Sequence, residues 1–147
     1  MGKLNLKKNT KFKTYNSDGK SNGYLIPIYN NNDLVYPEDY TPSQVYLTTV
    51  KEGQIKGPHL HFKRDGMFTC IKGDVRVVIE VEKNKYEVYF SGENHEYQSI
   101  FVPRGFPAAI QNIGSDMAYV LNMPNPAWTP EMNDENDCKF LNFDFEK

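Results

Sequence analysis

The chain has 147 residues, of which 39% are hydrophobic, 24% charged and 14% aromatic, and its formal net charge is −2. This length suits one domain with a single core, and the charge balance excludes a strongly basic protein built to bind nucleic acid. The sequence has neither the ~20 consecutive apolar residues of a membrane span nor the apolar core of a secretory signal. Because Cys70 and Cys138 are far apart, we expect reduced thiols in a cytoplasmic protein that binds neither nucleic acid nor membranes.

Short runs of β-branched and aromatic residues recur along the chain, separated by turns rich in Gly, Pro, Asn and Asp. These runs predict strands over 24–29, 43–50, 68–72, 75–82, 86–90, 100–102, 108–112 and 118–122. Little helix is expected, with at most one or two helical turns in 134–140. The pattern predicts an all-β sandwich or barrel. We expect one domain over 1–147, with a barrel core at about 43–123, N-terminal strands in 1–42 and a C-terminal tail in 124–147.

Two of the three histidines, His59 and His61, lie one residue apart, shortly after the predicted strand that ends at Val50. Residues i and i+2 of a strand point to the same face, so the two imidazoles are expected to project into one space. Such a pair suits metal ligation or proton transfer near neutral pH, and a hydrogen-bonded core pair is a third reading. The spacing alone leaves all three open.

The histidine pair is part of a longer pattern. Gly53 followed after five residues by His59-Leu60-His61 resembles the first motif of the cupin superfamily, and Gly73 closes the turn that follows. The segment 103–112, with Pro-x-Gly followed by Asn at the end, keeps the spacing of the second cupin motif. This resemblance implies a cupin-type double-stranded β-helix, the jelly roll.

The chain departs from the cupin pattern at two of the usual metal ligands, which are two His, a Glu and a later His. Asp65 or Gly66 stands at the Glu position, and Ala108 stands at the later His. A methyl group cannot ligate a metal, and metal sites normally use at least three protein ligands. We therefore expect no metal and no cofactor, with a metal-dependent cupin enzyme such as a dioxygenase as an alternative.

The departures match a metal-independent cupin branch, the nucleotide-sugar isomerases and epimerases of deoxysugar biosynthesis. Residues 56–61 and 70–77 are similar to motifs of dTDP-4-keto-6-deoxyglucose 3,4-ketoisomerases, and 103–106 to the Pro-x-Gly-Phe turn of dTDP-4-dehydrorhamnose 3,5-epimerases. The resemblance implies an isomerase of a nucleotide-activated 4-keto-6-deoxy sugar in deoxysugar or surface polysaccharide biosynthesis. It also implies a homodimer, because relatives exchange or pair N-terminal strands. A non-catalytic sugar-binding cupin is the alternative from another class.

Proton transfer next to a ketone needs a base, a donor for the developing oxyanion and cations for the diphosphate. The expected catalytic residues are His59, His61 and Tyr46, with one histidine as base and the other as orienter or oxyanion donor. Asp65 is expected to orient an imidazole. The expected substrate-binding residues are Arg76, Arg104, Arg64, Lys56 and Tyr119. Trp128, among prolines, is expected to pack the tail, cover the site or stack on a base.

Overall fold

The computed structural model describes residues 6–32, 37 and 40–147. Within this part of the chain there are β-strands and no helix, which confirms the all-β prediction. In chain order the strands are β1 (Leu6–Lys7), β2 (Phe12–Tyr15), β3 (Ser21–Leu25), β4 (Tyr46–Val50), β5 (Ile55–Leu60), β6 (Gly66–Lys72), β7 (Asp74–Glu82), β8 (Lys85–Gly92), β9 (Ser99–Val102), β10 (Ala108–Asn112), β11 (Ala118–Asn122) and β12 (Asn136–Asp137). Accordingly, the described residues hold no helix with the length and apolar character needed to span a membrane.

The strands form two five-stranded antiparallel sheets, ordered β1-β9-β6-β11-β4 and β12-β5-β10-β7-β8, and a separate β2-β3 hairpin. Alternate side chains of the two sheets meet in a shared core. Val75, Val77 and Ile79 of β7 and Val120 of β11 are fully buried there. This arrangement confirms the cupin-type jelly roll, and the division of the chain at residues 42 and 123 stays a prediction.

The strand that carries His59, β5, has no range among the predicted strands, although the expected side-by-side imidazoles assumed strand geometry there. Gly57 and Pro58 are residues that usually interrupt a strand. In the structure β5 pairs with β10, and the register shifts between Ala108 and Ile110. Two residues of β5, Gly57 and Pro58, oppose one residue of β10 at this shift, which is the geometry of a β-bulge. The bulge accommodates both residues and keeps His59 within the strand.

After β11 the chain continues as a segment that we call the strap, residues 124–137. Asn125 and Asp65 exchange two backbone hydrogen bonds of 2.8 and 3.2 Å. The Asp134 carboxylate accepts hydrogen bonds from the backbone N–H groups of residues 62–63. The strap ends in β12, which pairs with β5. The prediction of helical turns at 134–140 is therefore wrong, because backbone groups in this segment form hydrogen bonds with β5 instead.

The residues beyond the strap pack on the outer face of the second sheet. Rings of Phe140, Phe143 and Phe145 cluster with Tyr86 of β8, whose ring centroid is 4.9 Å from that of Phe140. Arg76 of β7 donates a hydrogen bond of 2.7 Å to the Phe145 carbonyl. This aromatic cluster anchors the C-terminal side of the strap.

Candidate functional site

A cavity of about 130 Å³ lies between the two sheets, with walls from β4 and β5. β4 is the edge strand of its sheet, and β5 lies next to the edge strand β12. The polar side chains that line it include Tyr46, Lys56, His59, His61, Arg64 and Glu135. Phe68, Val102 and Phe106 form an apolar wall. A small ring can therefore enter between apolar and hydrogen-bonding surfaces.

His59 is flanked by two carboxylates of the strap. It lies on β5 opposite Ala108 of β10. Its Nδ1 is 3.5 Å from Glu135 Oε1, and its Nε2 is 3.4 Å from Asp137 Oδ1. One carboxylate can hold the ring N–H while the opposite nitrogen keeps its lone pair. His59 thus has the surroundings of an oriented imidazole.

His61 has a different environment, although its ring centroid is only 6.3 Å from that of His59. Its Nε2 lies 3.1 Å from a terminal nitrogen of Arg64. Because a guanidinium only donates, His61 must accept as a neutral imidazole with its proton on Nδ1. Burial, reinforced by the Arg64 charge, lowers the pKa of His61 below its usual value. The two histidines therefore share a cavity and differ in their chemical state.

Arg64 links His61 to two further polar side chains. Only 8% exposed, it donates through its other terminal nitrogen to the Tyr46 hydroxyl at 3.1 Å. The Asn122 amide donates to the same hydroxyl at 2.7 Å, and its carbonyl oxygen accepts from the Met67 backbone N–H. With two donors on its oxygen, the Tyr46 hydroxyl still has its own proton to donate.

Asp65 pairs with Arg104 rather than with an imidazole, which corrects the expected orienting role. Its carboxylate accepts from the Arg104 backbone N–H at 2.8 Å and from the guanidinium at 3.2 and 3.3 Å. The reason is the pairing of Asp65 with Asn125, which sets the carboxylate beside the turn after β9. Asp65 is nearly buried, and the Arg104 side chain is 50% exposed. The pair holds the Arg104 guanidinium beside Asp65, which itself lines the cavity.

The remaining predicted binding residues divide between the cavity and the outer surface. Lys56 lines the cavity and donates to the Thr48 hydroxyl at 2.7 Å. Arg76 points outward from β7 and bonds Gln111 and the C-terminal aromatic cluster. Tyr119 alternates with the buried residues of β11 and is 37% exposed on the outer face. The structure therefore places Arg76 and Tyr119 outside the cavity, because strand alternation turns both away from it.

The donor set does not fit a cupin metal ion. Arg64 occupies Nε2 of His61, Arg104 occupies the Asp65 carboxylate, and Ala108 offers no ligand. Within residues 6–32, 37 and 40–147, no three His, Cys, Asp or Glu side chains are placed to hold a metal together. Structural and catalytic sites use at least three such ligands. The described residues of the cavity therefore lack the ligands that a metal-dependent step would need.

Three residues of the site have no counterpart among the predicted residues. Asn122 orients Tyr46, and Glu135 and Asp137 approach His59 from the strap. Asn122 could have been found from alternation, because it faces inward with Val120 on β11. Glu135 gave no such signal, since it lies in an acidic, irregular segment that reads as exposed.

The fold resembles solved structures of sugar-nucleotide enzymes. A dTDP sugar isomerase from Desulfovibrio desulfuricans has a TM-score of 0.73 and 15% identity, with 93% of this chain and 84% of that chain covered. A mutant of the 3,4-ketoisomerase QdtA from Thermoanaerobacterium thermosaccharolyticum, in complex with TDP-4-keto-6-deoxyglucose, has a TM-score of 0.63 and 14% identity, with 86% and 83% covered. The dTDP-4-dehydrorhamnose 3,5-epimerase from Elizabethkingia anophelis has a TM-score of 0.67 and 18% identity, with 92% and 74% covered. At these identities the similarity establishes the fold.

The sequence itself matches a described protein family. No curated protein matches the chain. Residues 8–143 match the family described as FdtA: WxcM-like, C-terminal. The matched segment contains strands β2 to β12 and all the cavity residues named above. The chain therefore belongs to the family FdtA: WxcM-like, C-terminal.

Proposed function

We propose that the protein is an isomerase of a nucleotide-activated 4-keto-6-deoxy sugar in deoxysugar or surface polysaccharide biosynthesis. Family membership, the likeness to dTDP-sugar isomerase and epimerase folds, and the polar groups of the cavity support this proposal. The ketone acidifies the neighbouring C–H bonds, so loss of the C3 proton gives an enediolate. Transfer of the O3 proton to O4 and protonation at C4 then move the ketone to C3, whereas protonation at C3 from the other face inverts that centre.

The base in this proposal is His59. His61 cannot take a proton on Nε2 without losing its bond to Arg64. His59 instead lies between two exposed carboxylates, so Glu135 can hold one ring nitrogen while the sugar displaces Asp137, which is 96% exposed, from the other. A positioned general base contributes roughly 10²–10⁴-fold to the rate. His61 acts as a positioning residue that fixes the Arg64 guanidinium.

Tyr46 and Arg64 stabilise the enediolate in this scheme. The Tyr46 O–H donates to the developing oxyanion, and Arg64 supplies a positive charge whose partners, Tyr46 and His61, are neutral. Donors fixed in advance in a site shielded from water are more effective than donors that must reorganise. The observation that carries the proposal is this hydrogen-bond chain from Asn122 through Tyr46 and Arg64 to His61, beside His59 in one cavity.

The charged part of the substrate binds at the rim of the cavity. Arg104 is held by Asp65 and half exposed, which suits bidentate contact with a diphosphate. Lys56 adds a second positive charge on the cavity wall. The nucleotide sugar thus enters ring first, with its diphosphate between these cations.

Incubation with dTDP-4-keto-6-deoxyglucose, followed by NMR, tests the proposal. We expect a ketone isomer or an epimer to form with the native protein and with His95→Asn, a change outside the cavity. The variants His59→Asn and His61→Asn should lose most turnover and still bind the nucleotide. Substrate binding without any product in the native protein would instead favour a non-catalytic sugar-binding cupin.

The active form in this proposal is a homodimer in the cytoplasm. The β2-β3 hairpin exposes more than half of Phe12, Tyr15, Tyr24 and Leu25, a surface that a second copy would cover. Cys70 and Cys138 are both free thiols, in keeping with a reducing compartment. Sedimentation analysis tests the dimer: a purely monomeric protein with full activity would contradict it.

A further inference from the structure

Trp128, the single tryptophan of the chain, lies on the strap next to the cavity. Its ring meets the Tyr46 ring edge to face, with centroids 6.4 Å apart, and Tyr46 lines the cavity. Trp128 is 45% exposed. A large, partly exposed indole ring therefore lies next to the Tyr46 ring, at the edge of the cavity.

The position of Trp128 is fixed through its backbone. The Gln44 side chain donates to the Trp128 carbonyl at 3.1 Å and accepts from the Trp128 N–H at 2.9 Å. Further along the strap, Lys63 donates to the Met132 carbonyl at 3.1 Å. None of these bonds uses the indole ring. The main chain thus holds the strap in place, and the exposed ring face is available to a ligand.

The size of the cavity determines which part of a nucleotide sugar reaches Trp128. Its volume of about 130 Å³ is well below the ~300–1,000 Å³ that encloses a whole drug-sized ligand. In the proposed function, on which this inference rests, the sugar ring fills the cavity, and Arg104 and Lys56 hold the diphosphate at the rim. The nucleoside must then lie outside, along the surface that the strap provides.

We infer that Trp128 binds the nucleobase of the substrate by stacking. Indole presents the largest aromatic face among side chains, and base–aromatic stacking strengthens binding by about tenfold or more per base. Stacking recognises the face of a base rather than its edge, so it fixes the nucleoside without selecting among bases by hydrogen bonds. Trp128 is therefore a binding residue for the nucleoside, separate from the proton-transfer groups.

Intrinsic fluorescence tests this inference directly, because Trp128 is the only tryptophan. We expect thymidine diphosphate to quench the emission along a saturable curve. Inorganic pyrophosphate, which lacks the base, should leave the emission nearly unchanged. Unchanged emission at a thymidine diphosphate concentration shown to saturate the protein by calorimetry would overturn the inference.

Variants supply a second measurement that does not depend on fluorescence. By calorimetry, Trp128→Ala should weaken thymidine diphosphate binding by about tenfold, and Trp128→Phe by only about threefold. Phe90→Ala is the matched control, because Phe90 is a similarly exposed aromatic on β8, stacked on His95. Equal affinity of Trp128→Ala and native protein would overturn the inference. Turnover of the 4-keto sugar by the native protein would in that case still support the isomerase.

Discussion

The Arg64 guanidinium lies 3.1 Å from Nε2 of His61, three residues earlier in the chain. This contact commits the His61 lone pair to Arg64, whereas His59 has exposed carboxylates as neighbours, which a substrate can displace. It also fixes a buried positive charge beside the Tyr46 hydroxyl. Arg64, three residues after His61, thus gives different roles to two histidines that look equivalent in the sequence.

The first prediction concerns Arg64. In Arg64→Lys a single ammonium replaces the planar fork, so it cannot bond Tyr46 and His61 with the same geometry. We expect kcat to fall by about 10²-fold, as for loss of one oxyanion donor, with a much smaller change in KM. Steady-state kinetics with the 4-keto sugar, beside circular dichroism to verify folding, measure this effect.

Arg76→Lys is the matched control for that substitution. Arg76 lies on the outer face of β7, where it bonds the backbone of Phe145. The change should lower thermal stability, because the part-buried bonds of Arg76 to Gln111 and Phe145 are weakened, and leave kcat within about twofold, because these bonds lie outside the cavity. Equal losses of kcat in both variants would remove the special role assigned to Arg64.

The second prediction is a pH dependence of stability. In the folded protein the pKa of His61 lies below its usual value of 6.5. Between those two pKa values the unfolded chain holds more protons, so the free energy of unfolding falls as the pH falls through this window. Urea unfolding from neutral to mildly acidic pH should show a smaller loss for His61→Gln than for the native protein. His95→Gln should follow the native curve, and identical curves for all three would contradict the assignment.

The third prediction compares two glycines with positive φ. A Cβ on Gly57, at φ +96°, would lie 2.8 Å from the Ala108 carbonyl oxygen, whereas a Cβ on Gly53, at φ +72°, meets nothing within 4 Å. Gly53→Ala should lower the free energy of unfolding by about 1 kcal/mol, and Gly57→Ala by about 3 kcal/mol because overpacking adds to the backbone strain. Since His59 follows two residues later, activity should fall only in Gly57→Ala. Equal stability losses would contradict this prediction, because they would mean that β10 moves to accommodate the added methyl group.

The fourth prediction compares the loss of Asp65 with the loss of its partner, Arg104. Asp65→Ala leaves the Arg104 backbone N–H without its acceptor and should lower the free energy of unfolding by about 2 kcal/mol. Arg104→Ala removes a half-exposed side chain and takes its guanidinium from the nearly buried Asp65 carboxylate, which keeps the backbone N–H as donor. It should cost about 1 kcal/mol, while raising KM for the nucleotide sugar. Denaturant titration and kinetics on both variants check this order. A larger stability loss in Arg104→Ala would contradict it.

Sequence patterns predicted the residues that local spacing controls. His59 and His61 share the cavity, and β7, β10 and β11 lie close to their predicted positions, because alternation and motif spacing act over a few residues. Arg64 and Lys56 also lie on the cavity wall, as expected for residues next to the motif.

Long-range pairing decided the rest. Asp65 binds Arg104 only because the strap returns to pair Asn125 with it, 60 residues further along the chain. The strap lacks hydrophobic periodicity, so neither its course nor the approach of Glu135 to His59 could be predicted. Strand alternation turns Arg76 and Tyr119 away from the cavity. This alternation was visible in the sequence, but the binding roles expected for the two residues did not take it into account.

Proton exchange in heavy water tests the central claim, that His59 moves a proton next to the ketone. With dTDP-4-keto-6-deoxyglucose, the native protein should introduce deuterium at C3 of recovered sugar or at the reprotonated carbon of the product. His59→Asn should bind thymidine diphosphate as the native protein does and introduce none. Deuterium incorporation that persists in His59→Asn would contradict this account.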